Sequence, residues 1–150
     1  NAFPGEMLEN ICETHWQFEK FRAGLMPRVS IVSAEAKVVE KIGKDRIVEV
    51  KAKIENKGDL TTHIGMGQRL PLNRQDVVWL VGDRDKVEFL QGRPWQQLGF
   101  LGGKLKVPTV KTKKQSSEVK WLLRIKGNED LKVVVSSQRG GTVVQNVEFK

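Results

Sequence analysis

Residues 117–149 constrain the fold more than any other part of this 150-residue chain. Val119, Trp121, Leu123 and Ile125 alternate with Lys120, Arg124 and Lys126. After Gly127-Asn128-Glu129-Asp130, Leu131, Val133 and Val135 repeat the pattern. After Arg139-Gly140-Gly141, Val143, Gln145, Val147 and Phe149 close it. A period of two places successive side chains on opposite faces of a strand, so each segment has one dry and one wet face. Upstream, Val48, Val50, Ala52 and Ile54 alternate with Glu49, Lys51, Lys53 and Glu55, between turn residues at Gly43-Lys44-Asp45 and Asn56-Lys57-Gly58. Asp76–Val81 and Lys86–Leu90 read as a hairpin across Gly82-Asp83-Arg84-Asp85. About seven strands with turns between them predict a mainly β fold, an immunoglobulin-like antiparallel β-sandwich. Val48, Val50, Ile54, Trp121, Leu123, Val133, Val135 and Val147 are expected to share its core. Residues 64–73 and 91–118 read as longer connections with short edge strands.

One segment has a different period. Residues 6–24 predict a single N-terminal α-helix, opened by Pro4-Gly5 and closed by Gly24 and Pro27. At 100° per residue its apolar side chains, with Trp16, Phe18 and Phe21 among them, cover an arc of roughly 220°, wider than one flat partner usually covers. The helix is therefore expected to cross a flank of the sandwich and to meet a second body as well. That makes Trp16, Phe18 and Phe21 candidate interface residues, with self-association of the chain as one consequence. Residues 1–27 read as helix and linker, and 28–150 as the sandwich domain.

Charge is local. The net +8 arises almost wholly between residues 104 and 126, where 8 Lys/Arg face one carboxylate. Lys104, Lys106, Lys111, Lys113 and Lys114, with Trp95 in a polar loop, form a candidate surface for acidic or carbohydrate ligands. The plainer reading is a set of lysines that guard solvated edge strands, with only weak, salt-sensitive polyanion binding. Trp79 and Trp121 are expected in the core. No apolar run approaches the roughly 18 residues of a membrane span.

Catalytic chemistry finds no pattern to rest on. Cys12 is the only cysteine; it lies on the apolar side of the helix, reads as a buried, inert thiol, and has no nucleophile context. Gly65-Met66-Gly67 and Gly102-Gly103-Lys104 lack the strand-to-helix transition of a phosphate loop. Of the two histidines, His15 is expected to pair with Glu19 one helical turn on, and His63 has no ligand spacing. No cofactor is expected.

Four phrases, in order, resemble the region after the catalytic domain of bacterial zinc carboxypeptidases of the carboxypeptidase A type. They are Trp16-Gln17-Phe18 with Leu25-Met26-Pro27; Val50–Ile54 running into Glu55-Asn56-Lys57-Gly58-Asp59-Leu60-Thr61-Thr62; Leu98-Gly99-Phe100-Leu101-Gly102-Gly103; and Val119-Lys120-Trp121-Leu122 with Ser137-Gln138-Arg139-Gly140-Gly141-Thr142. Thr61 stands where that family has Pro. The family's zinc site needs a His-x-x-Glu pair, a distant His and a further Glu as base; neither histidine here is followed by Glu at the third position, so no catalytic or metal residue carries over. The resemblance implies a non-catalytic accessory domain that packs on, stabilises or positions a zinc carboxypeptidase catalytic domain upstream in the same polypeptide, with residues 1–27 as the end of that catalytic domain packing on the sandwich, in an extracellular or periplasmic setting. The alternative is a stand-alone binding module for acidic or carbohydrate ligands at the cell surface.

Overall fold

The computed structural model describes residues 5–63, 74–105 and 114–150. One helix, α1 (Gly5–Gly24), precedes nine described strands: β1 (Val29–Ile42), β2 (Asp45–Asn56), β3 (Asp76–Val81), β4 (Val87–Gln91), β5 (Trp95–Gly99), β6 (Ser116–Lys126), β7 (Lys132–Ser137), β8 (Gly141–Asn146) and β9 (Glu148–Phe149). They form two sheets, ordered β4-β6-β2-β1-β9 and β5-β3-β7-β8. Read as immunoglobulin strands, the first sheet runs D-E-B-A and the second carries C-F-G with β5 as an extra edge. All pairs are antiparallel except β1–β9, where Glu35 and Ala36 run parallel to Glu148 and Phe149.

Alternation builds the core as expected. Val48, Val50, Ile54, Trp121, Leu123, Val133, Val135 and Val147 all belong to one buried cluster, joined by Ala34, Ala36, Val78, Leu80, Leu101, Ile125 and Leu131. The register puts inward residues opposite one another: Val48 faces Leu123, and Val50 faces Trp121. Trp121 is 1% exposed, and its indole N–H donates to the Arg93 carbonyl at 2.9 Å, so the ring is buried without stranding its polar atom. The β1–β2 loop is Gly43-Lys44; Gly43 has φ +61°, the left-handed value that the first position of a type II′ hairpin turn requires. Register shifts in β1 bracket Val32 and Val39, which lie 46% and 60% exposed, as expected where a bulge interrupts alternation.

Four expectations are corrected. β3 and β4 are not a hairpin: Gly82 to Lys86 carries the chain from one sheet to the other, β4 pairs with β6, and β3 pairs with β5 and β7. The closing strand is two, β8 in one sheet and β9 in the other; buried Val147 sits at the switch and its N–H donates to the Leu131 carbonyl at 2.9 Å. Trp79 is not in the core. Val78 and Leu80 point inward, which turns Trp79 to the outer face, where it is half-buried. Finally, α1 does not cross a flank. Ile11 is half-buried, and every other α1 residue with a described side chain is exposed, so Cys12 is exposed rather than buried.

Candidate interface helix and its anchor

The sandwich closes its core without α1, and α1 is left with its apolar side chains in solvent. Met7, Leu8, Trp16, Phe18 and Phe21 are 54–62% exposed. The contacts within α1 are local: Gln17 Nε2 donates to Glu13 at 2.5 Å, Arg22 pairs with Glu19 at 2.8 Å, and the Arg22 guanidinium lies 5.8 Å from the Phe18 ring centroid. Glu19 thus pairs with Arg22, not His15. Side-chain pairs of this kind contribute only tenths of a kcal/mol each, while most helices in proteins owe their stability to packing of an apolar face.

Its C-terminal end, in contrast, is tightly held. Asn56, 0% exposed at the end of β2, is the hub. Its carboxamide oxygen accepts from the Arg28 N–H at 2.9 Å and the Gly58 N–H at 3.0 Å. Its amide nitrogen donates to the carbonyls of Leu60 at 2.8 Å and Gly102 at 3.0 Å. All four hydrogen-bonding positions of the side chain are used. Backbone bonds tie the same segments: Leu60 N–H to Leu25 O, Lys57 N–H to Arg28 O, Thr62 N–H to Leu101 O, Lys104 N–H to Gly58 O and Leu105 N–H to Asp59 O, all 2.8–3.1 Å. Two glycines allow this approach. A Cβ on Gly58 would lie 2.3 Å from the Met26 carbonyl oxygen, and one on Gly103 would lie 2.0 Å from that of Asp59. The phrase Glu55-Asn56-Lys57-Gly58 therefore has a mechanical meaning. It fixes the helix exit, Leu25–Arg28, to the body of the sandwich.

The described candidate ligand residues, Trp95, Lys104 and Lys114, do not converge. Trp95 is 43% exposed at the start of β5. Lys104 and Lys114 are exposed beside the Asn56 hub, past the far end of that strand. Lys106, Lys111 and Lys113 lie outside the described residues. Lys120, Arg124 and Lys126 are on β6, an interior strand, so edge protection does not explain them; Arg124 pairs with Asp45 on neighbouring β2 at 2.9 Å. On that same charged outer face, a hydrogen bond from Lys51 holds the Glu49 carboxyl below its ordinary value, and the Lys51 ammonium is correspondingly raised.

Two buried ionisable side chains stand out. His63 is 2% exposed with its ring 4.2 Å from that of Phe100, and Asp76 is 0% exposed. Among the described residues, neither ring nitrogen and neither carboxylate oxygen has a hydrogen-bond partner. Asp76 pairs with Gly99 in the β3–β5 register, so both polar groups border the chain at 99–100. Among the described residues no group of three or more His, Cys, Asp or Glu side chains is placed to hold a metal, and no helix is long and apolar enough to cross a membrane.

No curated protein matches the chain. Among solved structures it is similar to a GH20 exo-β-N-acetylglucosaminidase from Vibrio harveyi, determined in complex with N-acetylglucosamine. The identity is 11% and the TM-score 0.28, over 83% of this chain and 18% of that one, a likeness too slight to carry an argument. A family model matches residues 28–148, from the anchored helix exit to β9. The chain belongs to the family described as Domain of unknown function (DUF8731).

Proposed function

We propose that this chain is a non-catalytic accessory module that attaches through α1 to a catalytic domain, which it stabilises or positions, and that this domain is a zinc carboxypeptidase. The observation that carries the attachment is the contrast within the chain. The sandwich buries its own core, while a 20-residue helix keeps Trp16, Phe18 and Phe21 in solvent. Such a helix gains its stability from an apolar partner surface, and burying two aromatic rings contributes several kcal/mol at about 25 cal/mol per Å². The Asn56 hub supports a positioning role, because it transmits the orientation of α1 to the sandwich through hydrogen bonds rather than a free linker. The carboxypeptidase identity of the partner, and an extracellular or periplasmic setting, are supported by the four phrases of the resemblance.

The test begins with the reading frame that encodes the chain and the polypeptide purified from it. The proposal expects a His-x-x-Glu peptidase domain in that polypeptide and zinc-dependent release of C-terminal residues, weakened when Trp16 and Phe21 are made polar. A frame without a peptidase domain, or a peptidase indifferent to both changes, overturns it.

A further inference from the structure

The two outer faces of the sandwich differ in kind. The first sheet presents charge in cross-strand rows: Lys37 opposite Glu49, Glu35 opposite Lys51, Lys51 opposite Lys120, Lys53 opposite Glu118. The second sheet presents an apolar row that crosses all four strands. Trp79 is paired with Trp95 on one side and Val134 on the other, and Val134 is paired with Val144. Residues in register on adjacent strands share a face, and at about 4.8 Å between strands the row spans roughly 14 Å. Trp95 is 43% and Val144 57% exposed. The rows beside this apolar row are mixed: Gln97, Val77, Ser136 and Thr142 on one side, Val81, Lys132 and Asn146 on the other, with Val77 7% and Val81 47% exposed. Arg74 reaches into it by donating to the Ser136 hydroxyl at 2.9 Å. The only carboxylate on the four strands is Asp76, which is buried. The outward side of this sheet is thus apolar and aromatic along its middle, with amides, hydroxyls and valines beside it, the cations Arg74 and Lys132, and no exposed carboxylate on its four strands.

We propose that this row is a binding platform for an acidic glycan, a saccharide chain that carries carboxylates. Aromatic rings offer flat apolar surface with a polar edge, which suits the C–H face of a sugar ring. The flanking amides and hydroxyls suit its hydroxyl groups, and Arg74 and Lys132 suit its carboxylates. The site differs from the one the sequence suggested: Trp95 is completed by Trp79 across the strand, not by Lys104 and Lys114 at the far end of β5. It is independent of α1, so it stands or falls apart from the accessory reading.

The test is calorimetric titration of the chain with oligogalacturonate, and with a neutral malto-oligosaccharide as comparison, at fixed salt. The platform predicts binding of the uronate and a much weaker response to the neutral sugar. Trp95→Ala should weaken binding by about tenfold or more, the loss of roughly 1.4 kcal/mol from one aromatic anchor, while Trp95→Phe keeps most of it. Val144→Glu, an exposed change that adds a carboxylate to the face, should also weaken it. Lys104→Ala with Lys114→Ala should leave it unchanged. Unaltered melting temperatures of the Trp95 and Val144 variants confirm that the effects are on binding. Absence of uronate binding, equal binding of the neutral sugar, or binding lost with the lysines but not with Trp95 overturns the proposal.

Discussion

Trp121 and Trp16 are the same residue in opposite circumstances. Trp121 is 1% exposed, its N–H is satisfied, and strands of both sheets surround it. Trp16 is 61% exposed on α1. The sandwich is complete in itself and α1 is not. A difference this sharp within one chain teaches where folding ends and association begins, because apolar area left uncovered by the fold is available to a partner.

That comparison can be broken most severely at the core. Trp121→Ala should destabilise the sandwich by on the order of 3–5 kcal/mol in denaturant unfolding. A loss under about 1 kcal/mol would mean that the sheets do not depend on this packing. The anchor comes next. Asn56→Ala orphans the Arg28 and Gly58 N–H groups and two carbonyls, at a cost on the order of 3 kcal/mol since each buried unsatisfied group costs about 1–3. The outcome to check besides stability is looser attachment of residues 25–28, read as faster proteolysis there. Gly103→Ala forces a methyl against the Asp59 carbonyl and should cost roughly 1–3 kcal/mol, whereas Gly99→Ala meets no neighbouring atom and carries only the strain of its φ of +76°. Smallest is the helix. Trp16→Ser with Phe21→Ser should change the stability of the sandwich by no more than about 0.5 kcal/mol, while it reduces self-association in sedimentation velocity at high concentration. A large loss of sandwich stability from that pair would show that α1 belongs to the core after all.

The parts of this architecture that were readable in advance are those governed by local period. Val48 to Ile54 and Val119 to Ile125 alternate cleanly against charge, so their inward faces and their shared core followed. Val77 to Val81 is apolar at every position, and a continuous run does not say which parity faces in; hence Trp79 was placed on the wrong side, and the platform it forms with Trp95 was missed. Gly82 to Lys86 has the composition of a hairpin turn, yet strands as short as β3 and β4 are assigned by partners remote in sequence, and β6 and β7 claim them. Asn56 looked like a turn residue because its partners at Arg28 and Gly102 are visible only in three dimensions. The wide apolar arc on α1 predicts packing on the sandwich and on a second body. What sequence could not supply was that the sandwich covers almost none of it.

Hydrogen exchange of the α1 amides tests the central claim most directly. In the chain alone at low micromolar concentration, amides of Gly5–Gly24 should exchange close to the rate of an isolated helix, while those of β2 and β6 are protected to the level of global unfolding. If the polypeptide carries the peptidase domain proposed above, α1 protection there should rise toward that of the strands. Protection of α1 equal to that of β2 in the dilute chain alone would contradict the account, as would α1 amides that remain unprotected with the peptidase domain present.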